Sequence, residues 1–217
     1  QPVIYFIYML DFISSVIAII LGVTIHEFAH AWASDRLGDP TARIYGRLSL
    51  NPFKHFDFFG TLALIFIGIG WGKPVPFNPE NLRNPRRDGA LIALAGPFSN
   101  LLTAFILAIP LKYLASTSMV ELPIYGLISH IFGISILLFA LNILPFPPFD
   151  GSKIIGVFVP HKWYYAYQNY LNEGVKYVII FILFDIFVIE KVLGYSLLNY
   201  AIVLVTKVTL AVISLGS

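Results

Sequence analysis

The sequence predicts an all-α polytopic membrane protein, and three observations predict it. Of its 217 residues, 58% are hydrophobic and only 12% charged, where soluble domains carry about 25% charged residues. Apolar runs of membrane-crossing length recur along the chain. The basic residues gather between those runs. We expect about five to six transmembrane helices and one re-entrant element in a single membrane-embedded domain over residues 1–217. Its core is 1–155 and its C-terminal helical hairpin 174–217. The net charge of +2 gives no electrostatic footprint for nucleic acid. With no cysteine, disulfides and cysteine–metal sites are excluded.

The first span lies within Pro2–Leu37. It has no basic n-region and no small-residue cleavage site, so it reads as a span rather than a signal peptide. Further spans are Gly89–Ala115, Pro123–Leu144, Val175–Ile189 and Ser196–Leu215, the last two forming a hairpin around Gly194. Phe58–Trp71 is short and ends in glycines. Arg36, Arg43, Arg47 and Lys54 precede it, Lys73, Arg83, Arg86 and Arg87 follow it, and Lys153, Lys162 and Lys176 follow the Pro123–Leu144 span. Those stretches hold 11 of the 14 Lys and Arg residues, and the positive-inside rule places all three in the cytoplasm. Phe58–Trp71 then re-enters or lies at the interface, because a crossing would separate its basic flanks. A sixth span is the alternative.

His26-Glu27-x-x-His30 ends the first span. Histidines four apart share a helix face and can bind one ion, with Glu27 turned toward a water on it. Ionisable groups inside a span are costly, at roughly +2.5–3.5 kcal/mol for an aspartate at its centre. A catalytic zinc commonly takes three protein ligands and leaves one position open. His55, His130, His161, Asp57, Asp150 and Asp185 are candidates for the third. The stretch "LNILPFPPFDG" (Leu141–Gly151) favours Asp150: its prolines extend the chain and Gly151 permits a sharp turn. Sidedness agrees, since the Pro123–Leu144 span delivers Asp150 to the side where His26 and His30 lie.

These residues, with Gly96-Pro97-Phe98-Ser99-Asn100 and the stretches "GRLSLNPFKHFDFFGT" and "GWGKPVPFNPENLRNPRRD", resemble the site-2 proteases, zinc-dependent intramembrane metalloproteases. The likeness is to the short subgroup without a PDZ or cystathionine-synthase-type regulatory domain. It implies Zn2+ on His26, His30 and Asp150, with Glu27 as base and proton shuttle. It also implies that Asn142 contacts substrate or the oxyanion, and that Asn100 lines the same cavity. The activity implied is cleavage of transmembrane segments of membrane-protein substrates near the cytoplasmic face of the cell (inner) membrane. The lipid bilayer and the substrate are the partners expected; no oligomeric state is implied. A metal-binding transporter or scaffold without proteolysis is the rival reading.

The remaining polar features read locally. Ala42–Leu50 is either a small β edge at the membrane, holding an unwound substrate, or a plain interfacial loop. His55 reads as a solvated interfacial histidine, His130 as packed among helices and His161 as ordinary. Asp185 and Lys207 read as an ion pair across the hairpin. His161–Tyr170 reads as an interfacial aromatic belt.

Overall fold

The computed structural model describes residues 2–60 and 72–216. The short segment Phe58–Trp71 therefore lies mostly outside the described residues. Helix α1 (Pro2–Arg36) has 35 residues, about 52 Å at the α-helical rise, and so outlasts a bilayer core of about 30 Å. After the single turn α2 (Thr41–Ile44) comes α3 (Pro85–Ala115). The Asn84 side chain caps it by accepting from the Arg87 N–H, and Pro85 takes a position where no N–H is needed. Helix α4 (Pro123–Asn142) also begins at a proline. It is followed by the short α5 (Gly151–Ile154), then α6 (Tyr164–Phe184). A π turn over Asp185–Ile189 joins α6 to α7 (Glu190–Leu193). Gly194, at φ 79°, turns the chain into α8 (Leu197–Gly216).

Helices α1, α3 and α4 pack pairwise into a three-helix core, and α8 joins against α4. Small and polar residues fill the contacts: Ala18, Ala31, Ala104, Ala140, Ser34 and Ser135 are fully buried. Large apolar side chains point outward, among them Phe12 on α1, Ile106 and Ile109 on α3 and Leu204 on α8. That inversion suits lipid, where close backbone packing rather than water exclusion joins helices. Four helical segments among the described residues are long and apolar enough to cross a membrane: Tyr8–Arg36, Pro85–Ala115, Pro123–Asn142 and Leu197–Leu215. This is an all-α integral membrane fold. The expected span Val175–Ile189 lies in α6 and the π turn and is not among those four.

Three local expectations are corrected. Ala42–Leu50 is not a strand. It opens as α2, where the Asp39 carboxylate accepts from Thr41 N and Oγ1 at 3.1 and 2.5 Å, and Gly46 at φ 67° ends that turn. Asp185 is not paired with Lys207. Its carboxylate accepts from Ser196 Oγ (2.6 Å), Leu197 N (2.9 Å) and Leu198 N (3.1 Å), so it caps the start of α8, where unbonded N–H groups need acceptors. His55 is not solvated. It is fully buried, with Nε2 2.6 Å from the Ser49 carbonyl. Its backbone carbonyl accepts from Lys73 N at 2.8 Å, beside an antiparallel bridge between Phe56 and Gly72. The two flanks of the short segment thus lie side by side.

Candidate metal centre

Two elements bring one side chain set together. Helix α1 presents His26 and His30 on one face, one turn apart. The irregular chain after α4 presents Asp150. His26 Nε2 and His30 Nε2 lie 3.0 Å apart, and the Asp150 Oδ2 is 3.1 and 3.0 Å from them. All three residues are buried, and their ligand atoms fall within 4.8 Å of one another.

The outer nitrogens decide what the inner ones are. His30 Nδ1 is 2.7 Å from the Ile92 carbonyl. A carbonyl only accepts, so Nδ1 carries the proton. His26 Nδ1 is 2.7 Å from Asn100 Oδ1. The Asn100 amide is oriented by its own donation from Nδ2 to the Gly22 carbonyl at 3.1 Å, so Oδ1 faces the imidazole. With both rings neutral, as metal ligation requires, the two Nε2 atoms carry lone pairs, and so does Asp150 Oδ2. Three acceptors at about 3 Å with no proton between them repel unless a cation lies among them. Tetrahedral ligands about 2.0–2.1 Å from zinc stand roughly 3.3 Å apart, close to the spacing here. The donor set fits zinc, with nitrogen–hydrogen partners that orient metal-binding histidines.

The backbone makes room for this cluster. A Cβ on Gly96 of α3 would stand 2.4 Å from His30 Nε2 and 2.7 Å from His26 Cε1. A Cβ on Gly151 would meet the Ile143 and Leu144 carbonyls at 2.3 Å, so glycine lets Asp150 turn back against the end of α4. The loop is braced from α6. The Tyr167 hydroxyl donates to the Ser152 carbonyl at 2.9 Å, Tyr170 donates to the Pro145 carbonyl at 2.8 Å, and Gly174 packs on the buried Pro147. Burial pushes the Tyr167 pKa up to about 12, so it stays a donor. Within His161–Tyr170, these tyrosines thus support the loop that carries Asp150. Asp150 turns Oδ2 toward the two imidazoles. Lys153 Nζ lies 3.3 Å from the other oxygen, Oδ1.

Glu27 is half-buried beside this cluster. A Cβ on Gly72 would come 3.5 Å from Glu27 Oε1, so the chain emerging after the short segment passes next to it. Arg47 is buried nearby and donates to the Lys73 and Pro74 carbonyls, fastening that emerging strand. Burial lowers the Arg47 pKa while the Glu27 charge opposes the shift.

Asn100 is buried, with Oδ1 on His26 and Nδ2 donating to the Gly22 carbonyl, so it orients His26. The Asn142 Nδ2 donates to Leu138 O at 3.0 Å within its own helix. His130 Nδ1 is 2.8 Å from the Gly126 carbonyl of its own helix, and His161 is exposed. Gly96, the Ile92 carbonyl, Lys153 and Arg47 belong to the site's surroundings without having been singled out for it from sequence. Of these, Gly96 and Arg47 lie within the stretches that carry the family resemblance.

A membrane-embedded helical core and a buried His–His–Asp cluster beside a glutamate define the class: an integral membrane protein with a candidate metal centre of hydrolase type. Its relatives narrow this. It is 41% identical over 150 residues to "Putative zinc metalloprotease YwhC" of Bacillus subtilis, covering 67% of this chain and 68% of that one. It is 30% identical over 150 residues to "Putative zinc metalloprotease MJ0611" of Methanocaldococcus jannaschii, covering 68% and 71%. With "Putative zinc metalloprotease Rip2" of Mycobacterium tuberculosis it shares 31% over 144 residues, covering 61% of this chain and 52% of the relative. The chain belongs to this family of zinc metalloproteases, and zinc is its cofactor. No family model matches it, and no solved structure does.

Proposed function

We propose that this chain is a site-2-type intramembrane endopeptidase of the short subgroup, with zinc held by His26, His30 and Asp150. It cleaves transmembrane segments of membrane proteins close to the cytoplasmic face of the cell membrane. The convergence of two imidazole Nε2 atoms and a carboxylate oxygen carries the reading, because a donor set of this kind at this spacing suits a metal ion. Their position on α1 and beyond α4, two helices of crossing length, supports a site at membrane depth.

Zinc, when bound, supplies Lewis acidity toward a water and the scissile carbonyl. Glu27 removes the proton of the attacking water and returns it to the leaving amine. Asn100 and the Ile92 carbonyl keep the two imidazoles in the tautomer that presents Nε2. Asp150 brings a negative charge into the cluster, with Lys153 on its outer oxygen. Asn142 donates one amide hydrogen to Leu138 O, and its remaining amide donor and oxygen are the groups it would offer to substrate. A transmembrane substrate must unwind locally, since a helix buries its carbonyls in its own hydrogen bonds.

The test is Glu27→Gln in proteoliposomes with a transmembrane peptide substrate. We expect one zinc per chain in both proteins and cleavage reduced by roughly 10²–10⁴-fold in the variant. Full cleavage by Glu27→Gln would remove the base. Zinc retained in His26→Ala and Asp150→Ala would remove the ligand set.

A further inference from the structure

The positive-inside rule explains why basic residues lie on one side of this membrane protein. It does not explain why three of them converge on one cleft. Where α1 ends and α3 begins there is a cleft of about 410 Å³ lined by Arg36, Arg83 and Arg87, together with Leu37, Gly38, Asn84 and Asp88. The two helix ends are packed there by Ala33, Leu82 and Ile92. Both helices are of crossing length and both end here, so the cleft sits at the border between apolar core and water.

Five other cations on this side are engaged within the protein, and Lys54 and Lys73, which have no ion-pair partner among the described residues, lie outside the cleft lining. Arg43 pairs with Asp35, Lys153 with Asp150 and Lys176 with Glu173. Arg47 binds two carbonyls, and Arg86 stacks 4.0 Å over the Tyr164 ring. The three cleft arginines have no ion-pair partner among the described residues. Arg36 rests 5.4 Å over the Trp32 ring, which leaves its guanidinium edge available. The buried Asp88 is the one carboxylate in the lining, and its Oδ2 is taken up by Asn84 N at 2.9 Å. Three guanidiniums thus face one carboxylate, leaving an excess of two positive charges at the headgroup level. Guanidinium forks match phosphate oxygens, and basic pockets between transmembrane helices are suited to acidic headgroups.

We propose that this cleft binds a phosphate group, that of an anionic phospholipid headgroup, bridging α1 and α3. The proposal does not depend on peptidase activity. Because α1 carries His26 and His30 and α3 carries Gly96 and Asn100, a lipid there would brace the two helices that form the metal centre.

The full chain is to be purified in detergent, incubated with equimolar phosphatidylglycerol and phosphatidylcholine, and examined by native mass spectrometry. Arg36→Gln/Arg83→Gln/Arg87→Gln is compared with Lys54→Gln/Lys73→Gln/Lys162→Gln, which removes as many charges elsewhere. Wild type and the lysine variant are expected to retain phosphatidylglycerol preferentially. Retention should fall about fivefold for each cleft arginine removed singly, and on the order of a hundredfold in the triple variant. The single variants keep the test valid if the triple variant does not fold. Equal loss in both triple variants would mean diffuse surface charge and overturn the site, as would no preference in wild type. Glycerol phosphate and inorganic phosphate are added as competitors. Displacement by either at millimolar concentration assigns the site to phosphate in free form as well, and retention against both assigns it to the lipid.

Discussion

A Cβ placed on Gly96 stands 2.4 Å from His30 Nε2 and 2.5 Å from His30 Cε1, distances that no side-chain adjustment at His30 absorbs while Nδ1 stays on the Ile92 carbonyl. Gly96→Ala should therefore displace an imidazole and weaken zinc binding at least as much as loss of an orienting partner, by about 10–100-fold or more. Zinc content after chelator competition checks this, and normal retention would show that α3 can move away from α1. The same residues show what was legible in advance. His26, Glu27 and His30 announce themselves by helical spacing, and Asp150 by the prolines before it. The Ile92 carbonyl has no sequence signature, and Gly96 shows only as a missing side chain until His30 is placed against it. Asn100 was visible as a polar residue in a span, but the partners that engage its amide, His26 and Gly22, are 74 and 78 residues away.

At the scale of elements, the connection between α1 and α3 is gathered around Asp39. This fully buried carboxylate accepts from Ser34 Oγ, Thr41 N and Oγ1, Asn78 N and Asn81 Nδ2. Burial alone would raise its pKa, but the hydrogen bonds from Thr41, Asn81 and Asn78 lower it to about 2. A depressed carboxylate pKa stabilises the fold above the unfolded value and stops doing so as pH falls through the folded one. The contribution is thus complete above about pH 4 and gone near pH 2, worth about 1–2 kcal/mol after screening. The apparent unfolding temperature of wild type should exceed that of Asp39→Asn at pH 5, and the gap should close toward pH 2. A gap independent of pH would mean that Asp39 acts by shape alone. The apolar alternation of Ala42–Leu50 suggests an edge or a loop, whereas the helical turn there depends on the contact of Asp39 with Thr41, which no periodicity shows.

For the whole molecule, the site requires α1 to run one way and α4 to run the same way, with α3 returning between them. Only then do His30 and Asp150 meet at one depth. A single crossing by 58–71 would break that order by reversing every later helix. Its described flanks argue against a crossing: Phe56 bridges Gly72, Lys73 N donates to His55 O at 2.8 Å, and Arg47 holds the Lys73 and Pro74 carbonyls. Chain ends joined in this way lie on one side of a membrane. The absence of native cysteine makes the point measurable, because a single introduced thiol is the only one present. Lys54→Cys, Lys73→Cys and Lys162→Cys should all react with a membrane-impermeant maleimide from one side only, and Ser116→Cys, at the far end of α3, from the other. Labelling of Lys54→Cys and Lys73→Cys from opposite sides would mean that 58–71 crosses, and Asp150 would then be the first ligand to reassign. Labelling from the same side fixes the re-entrant topology. It also places Arg36, Arg83 and Arg87 on the face that carries the metal centre, where the lipid cleft and the centre share two helices.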